Sequence, residues 1–187
     1  MSFRLQTNRL ILSVLESNYA ADVLHFYQNN QSLFDSYEPT RPSNFYTLPF
    51  QAAFMQQEYT DIMKGKTLRY YIFLQDNPDQ IIGSVNFSNI VHGPFSRASI
   101  GYKLDSSFHG NGYAFEACQA AIKDFFACYK IHRLDARVAP NNVPSIKLLE
   151  RLGFVYEGIE YQGVEVNGTF QDHFRYGLLC QTNSTIQ

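Results

Sequence analysis

The spacing of apolar residues changes period along the chain, and each change marks an element. Arg4 to Leu15, RLQTNRLILSVL, mixes β-favouring aliphatic residues with spaced polar ones and predicts a first strand. Ser17 or Asn18 then stands where a helix cap belongs, and Tyr19, Val23, Phe26 and Tyr27 share one face of a helix that Asn29 and Asn30 close. Prolines at 39, 42 and 49 deprive YEPTRPSNFYTLP of backbone donors and make it an irregular connection, of a length that usually carries a function. Phe50, Phe54 or Met55, Tyr59, and Ile62 or Met63 define a second amphipathic helix, which Gly65 ends.

Three β-rich runs follow: TLRYYIFLQD, QIIGSVNFSNI and SRASIGYKLD. The turn-forming stretches DNPDQ and HGPFS join them as an antiparallel meander. Helical spacing returns from Tyr113 to Tyr129, IHRLDARV predicts another strand, and NNVPSIKLLERLG predicts a short helix between an Asn cap and a Gly stop. Two last strands, Phe154 to Tyr161 and Thr169 to Leu179, flank Asn167-Gly168, the dipeptide of a tight hairpin.

At 187 residues, 45% of them hydrophobic, the chain suffices for one core and is short for two. Residues 1–180 are expected to form one domain, with 181–187 as a tail that frays. Fifteen Lys and Arg against 17 Asp and Glu leave a net charge of -2, without the basic field that nonspecific nucleic-acid binding needs. Cys118, Cys128 and Cys180 are odd in number and widely spaced, so buried reduced thiols are expected and neither a disulfide framework nor a metal site is. Lone His92 and His132 lack a second ligand four residues on and are expected at the surface or in a strand. No uninterrupted apolar stretch approaches ~18 residues, so a cytoplasmic protein without membrane contact is expected. The Asn-x-Ser/Thr triplets at Asn86, Asn167 and Asn183 are then ordinary polar residues.

The chemistry concentrates in two stretches. DSSFHGNGYAFEACQAAIKDFF, Asp105 to Phe126, puts two glycines one residue apart directly before a helix. Glycine lets a backbone approach a ligand, and the free amides at a helix start point at an anion with the dipole behind them. The pair alone fits a tight turn as well. It is not a Walker motif, because no Gly-Lys-Ser/Thr follows, and it lacks the third spaced glycine of a dinucleotide fingerprint. The second stretch, APNNVPSIKLLERLGFVYEG, adds an Asn able to fill open backbone hydrogen bonds, a Ser one turn into a short helix, and Leu-Gly-Phe.

Together with IGYKLD, these stretches resemble the GNAT superfamily of N-acetyltransferases. The superfamily's phosphate signature, Gln/Arg-x-x-Gly-x-Gly/Ala, is matched by His109, Gly112 and Ala114, and its Asn-x-x-Ser and Leu-Gly-Phe by Asn142, Ser145 and Leu152 to Phe154. YEP at 37–39, IIGSVNFSNIV at 81–91 and NGTFQDH at 167–173 resemble the RimJ/RimL-type ribosomal-protein N-terminal acetyltransferases, the RimJ branch in particular. The resemblance runs from Arg4 to Leu179. It implies an α/β (α+β) fold with a central mixed, mostly antiparallel sheet flanked by helices. It also implies acetyl-CoA as co-substrate and a protein amino terminus, that of a ribosomal protein, as acceptor. In that reading Gly110, Asn111, Gly112, Tyr113 and Ala114 hold the pyrophosphate beside His109, while Tyr102, Lys103 and Leu104 pair with the pantetheine arm. Asn142 and Ser145 lie near its far end, and Tyr37, Glu38, Phe87 and Asn89 border the acceptor pocket.

A thioester is already activated, so the protein must chiefly position an amine, take its proton and stabilise an oxyanion. A peptide α-amine has a pKa of about 7.7 to 8.0, leaving about a tenth to a fifth neutral at pH 7. Modest help suffices. The leaving thiol, with a pKa of about 8.5, needs a donor even less; Ser145 is the candidate. Three positions depart from the family. His109 replaces Gln or Arg and makes a phosphate charge depend on pH, Leu149 replaces a frequent Tyr acid, and Ser99 replaces a frequent carboxylate. The base is therefore sought among Glu38, Asp172 and His173, the first two ahead. No cysteine neighbours a histidine, which points to direct transfer. The rival readings are a small-molecule amine acetyltransferase, for a polyamine or antibiotic, and a coenzyme A-binding or ribosome-associated module without catalysis. A nucleotide-binding regulator is a third.

Overall fold

The computed structural model describes residues 2–180; the tail and the triplet at Asn183 lie outside the described residues. One eight-stranded sheet runs in the order β1-β2-β3-β4-β5-β6-β8-β7. Its strands are β1 (Arg4–Gln6), β2 (Leu10–Ser13), β3 (Leu68–Leu74), β4 (Gly83–Val91), β5 (Arg97–Leu104), β6 (Arg133–Val138), β7 (Val155–Val166) and β8 (Thr169–Leu179). The helices are α1 (Ala20–Asn29), α2 (Gln31–Asp35), α3 (Leu48–Met63), α4 (Tyr113–Tyr129) and α5 (Val143–Arg151). All neighbouring strands are antiparallel except β5 and β6, whose parallel pairing requires a crossover, and α4 provides it.

The alternation of side chains across the sheet builds two cores. On one face Phe87, Ile100 and Leu104 pack with Cys118 and Phe125 of α4 and Leu149 of α5. On the other, Tyr71 and Phe73 pack with Val23 and Phe26 of α1 and Met55 of α3. The β3–β4–β5 meander and the hairpin turn at Asn167-Gly168 follow the pattern of the sequence, both turn residues having positive φ as an Asn-Gly hairpin turn needs.

Three details differ from expectation, and the alternatives left open for α3 are decided. The first strand is two, folded back at Thr7 to Arg9, where the Leu10 amide donates to Thr7 Oγ1 over 3.0 Å. Tyr19 precedes α1 and is exposed, so only Val23, Phe26 and Tyr27 form the buried face. Met55 and Ile62, not Phe54 and Met63, are the buried members of α3. Of the cysteines only Cys118 is buried. Cys128 is exposed in the last turn of α4 and Cys180 is partly exposed, both as free thiols.

The feature that positions a site is where β5 and β6 part. They pair only at Arg97–Arg133, Ala98–Leu134 and Ser99–Asp135. Beyond Ser99 the remainder of β5, through Leu104, has no strand on that side.

Candidate active site

A cavity of about 970 Å³ opens in this gap. Tyr102 and Leu148 line it from the α4–α5 face, and Lys103, Ser84 and His173 from the opposite one, so it crosses the sheet where the strands separate. Five Lys and Arg side chains and a single carboxylate, Glu38, line it. Three of these cations are paired with carboxylates, Arg69 with Glu58, Lys103 with Glu38 and Arg137 with Glu160, so among the described residues Lys147 and Arg151 are the ones left to favour an anionic ligand.

At one end lies the glycine loop. Gly110 and Gly112 have φ of 80° and 78°, which side-chain-bearing residues rarely adopt, and a Cβ at Gly110 would meet nothing within 4 Å. Both glycines therefore present bare backbone at the start of α4, the arrangement that fits a pyrophosphate. The loop is held from two sides. Buried Asn30, which the sequence suggests only as a helix stop, donates to Asp105 Oδ2 over 2.9 Å and accepts from the Ser106 amide. Arg9 donates from Nη1 to the Asn111 carbonyl over 3.0 Å, packs over the Tyr113 ring, and pairs with Glu116 at 2.7 Å. Arg9 looks from sequence like a mere polar interruption of the first apolar run, because its partner Glu116 is 107 residues away. His109 lines the cavity with Nε2 3.1 Å from the Leu104 carbonyl, an acceptor, so that nitrogen carries the proton. Asn111 donates to the Phe108 and His109 carbonyls, and its side chain serves the turn.

At the inner end, Ser145 Oγ lies 2.7 Å from Tyr102 Oη. Burial pushes the Tyr102 phenol well up, against the opposing effect of the Ser145 hydrogen bond, so the pair stays protonated. The Asn142 side chain accepts from the Ser145 amide over 3.2 Å, capping α5 and fixing Ser145 in its first turn. Asn142→Ala is expected to cost about 1 kcal/mol of stability, seen as a lower thermal midpoint, and to impair turnover through the displacement of Ser145.

The opposite wall of the cavity changes the expected roles. Glu38 is clamped: Lys103 Nζ lies 2.6 Å from Oε1 and Arg41 Nη2 2.6 Å from Oε2. Burial alone would raise the Glu38 carboxyl, but Lys103 and then Arg41 outweigh it and hold it below the usual carboxylate range. An ionised carboxylate with a cation on each oxygen is a poor proton acceptor. Asp172 is exposed and does not line the cavity; its Oδ1 accepts from the Gln162 amide and stabilises an irregularity between β7 and β8. His173, ranked behind both, is 4% exposed and faces the cavity. Its Nδ1 lies 3.3 Å from the Gln171 carbonyl, which can only accept, so Nε2 is the ring's lone-pair nitrogen.

Of the expected acceptor residues, Tyr37 and Glu38 line the cavity. Phe87 does not: it is fully buried, stacked on Phe125 at 4.0 Å, because its strand phase turns it into the α4 core. Asn89 is exposed in the β4 bulge and donates to Ser99 Oγ. Asn86 and Ser84 take those places in the wall, and the Ser84 hydroxyl is fully buried without a hydrogen-bond partner among the described residues. The proline-rich connection forms the outer rim: Thr40 bonds Glu165, and Asn167 donates to the Asp35 carbonyl, tying the rim to the β7–β8 turn.

A parted parallel pair, with a bare glycine loop at one end of the gap and a half-buried hydroxyl pair at the other, is the arrangement of a GNAT fold. Residues 9–155 match the family model described as an acetyltransferase (GNAT) domain, and the chain belongs to that family. It is an acetyl-CoA N-acetyltransferase of GNAT type. It is similar to the ribosomal protein uS5-alanine N-acetyltransferase of Escherichia coli (strain K12), with 32% identity over 171 residues, 91% of this chain and 87% of that one. Among solved structures, the ribosomal-protein-S5-alanine acetyltransferase from Vibrio fischeri superimposes with a TM-score of 0.90 at 26% identity, covering 95% of this chain and 97% of that chain. RimJ of Mycobacterium smegmatis, in complex with CoA-disulfide, gives 0.85 at 25% identity, covering 91% and 82%. Among the described residues no helix is long and apolar enough to cross a membrane.

Proposed function

We propose that the chain transfers the acetyl group of acetyl-CoA directly to the α-amine of a protein amino terminus, that of a ribosomal protein. The observation that carries this reading is the cavity through the parted strands. It brings a glycine-loop backbone suited to an anion, an unpaired strand edge, a hydroxyl pair and the imidazole of His173 into a single space. In this reading the amides of 110–114 hold the pyrophosphate and the edge of Tyr102 to Leu104 aligns the pantetheine arm. The thioester supplies the activated acetyl group. Ser145, backed by Tyr102, donates a proton to the departing thiolate, and His173 Nε2 takes one from the amine. The names of the relatives support a ribosomal-protein amino terminus as acceptor.

The electrostatics favour an α-amine over a lysine side chain. With Glu38 neutralised by two cations, the His173 imidazole beside it in the cavity is the base at hand. At pH 7 about a tenth to a fifth of α-amines are already neutral, against roughly one in 2,500 lysines. His173→Ala is therefore expected to lower turnover about tenfold to a hundredfold. Its rate should also climb steeply as pH rises through about 7.7 to 8.0, where the free amine loses its proton unaided. A variant with the unaltered rate and pH profile would remove His173 from the mechanism. The acceptor class is tested by thiol release with peptides bearing a ribosomal-protein amino terminus beside a panel of polyamines and aminoglycosides. Turnover of the peptides is expected, and good turnover of a small amine with none of the peptides would overturn the reading.

A further inference from the structure

Asn86 stands in β4 opposite Arg69 of β3 and Gly101 of β5, and all three line the cavity. A carboxamide offers acceptors at one end and donors at the other, yet among the described residues neither end of the Asn86 side chain has a hydrogen-bond partner. The residue across the ladder lets it come close to β5. A Cβ at position 101 would lie 2.9 Å from Asn86 Oδ1, so glycine is what leaves the oxygen room there. The cations beside it are already spent, Arg69 on Glu58 at 2.8 Å and Lys103 on Glu38 at 2.6 Å. What the wall presents at this point is a neutral, unused acceptor.

Gly101 lies two residues past Ser99, the last position at which β5 pairs with β6. On the reading that the glycine loop holds the pyrophosphate and the edge of β5 aligns the pantetheine arm, the arm runs from Leu104 toward Gly101. Its reacting end then comes beside Asn86. Tyr102 and Ser145 border that edge from the α4–α5 face, while Asn86, two residues from Ser84 and on the same face of β4, borders it from the face that carries His173. A neutral primary amine brings one lone pair and two N–H bonds into this space. The lone pair forms the N–C bond, the C–S bond breaks as Ser145 protonates the thiolate, one N–H proton passes to His173 Nε2, and the other stays on the product amide.

We infer that Asn86 Oδ1 accepts the N–H that stays, turning the lone pair toward the thioester carbon, and that the enzyme thereby selects primary over secondary amines; the inference rests on the proposed transfer to an α-amine. The test compares kcat/KM for two peptides that differ by one methyl group, one beginning with alanine and one with N-methylalanine, at enzyme concentrations high enough to quantify the slower. The secondary amine has a single N–H, the one that must leave, so it has none to give Asn86. Asn86→Leu, which keeps the volume and removes the oxygen, should lower kcat/KM about tenfold for the alanine peptide and less than about twofold for the N-methylalanine peptide. Its acetyl-CoA affinity by calorimetry should stay within about twofold. Asn86→Ala should show the same asymmetry with a smaller loss, because water can enter the space and accept in its place. Equal losses for the two peptides, as a merely structural role would give, or an unaltered kcat/KM for the alanine peptide, overturn the inference and leave the proposed acceptor class standing. No turnover of either peptide by the unsubstituted protein overturns that class and the inference with it.

Discussion

Gly112→Asp is expected to weaken acetyl-CoA binding by at least about a hundredfold. Gly112 caps α4 in the left-handed region, with φ 78° and ψ 4°, and its amide belongs to the loop assigned to the pyrophosphate. Two negative charges about 5 Å apart repel by roughly 3 kcal/mol at the effective dielectric of a protein surface, and left-handed strain adds about 1 kcal/mol. One opposing effect must be separated. A Cβ at 112 would lie 3.6 Å from Arg9 Nη2, so the new carboxylate can draw Arg9 from Glu116 and be partly neutralised. Gly112→Ala provides the control, since it keeps the strain and lacks the charge: its affinity should fall less than about tenfold. A folded Gly112→Asp protein with undiminished affinity would contradict the assignment of the loop.

Ser145→Ala is expected to lower kcat about tenfold to a hundredfold while changing acetyl-CoA affinity less than about threefold. The hydroxyl is poised within 2.7 Å of Tyr102 Oη, and burial keeps that phenol protonated, so removing Ser145 interrupts a donor pair without touching the anion loop. Tyr102→Phe should lower kcat by a smaller factor, because Ser145 still carries its own proton. A Ser145→Ala enzyme that turns over normally but binds acetyl-CoA weakly would make the residue a ligand contact instead of a donor.

The parts of this site that sequence makes legible are local. HGNGYA and NNVPS place glycines and an Asn cap within a few residues of what they serve, and the structure sets them at the ends of one cavity. The meander and the Asn167-Gly168 turn are legible for the same reason. What escapes is whatever depends on strand phase or on distant partners. Asp172 and His173 are neighbours whose different exposure follows from the register of β8, and no residue type distinguishes which of the two turns inward. Phe87 and Asn86 differ in the same way on β4. Glu38 reads as an available base until Lys103, on a strand 65 positions on, and Arg41 are seen to occupy both its oxygens. Arg9 carries no local sign of its role beside the glycine loop.

The neutralised Glu38 and the inward-facing His173 lead to one directly observable product. A synthetic peptide with a free ribosomal-protein amino terminus and an internal lysine, incubated with the enzyme and acetyl-CoA, is fragmented by mass spectrometry. The expected result is a single acetyl group on the α-nitrogen, none on the lysine, and no product when the α-amine is formylated beforehand. Acetylation confined to the lysine, or equal modification of the formylated peptide, would contradict it.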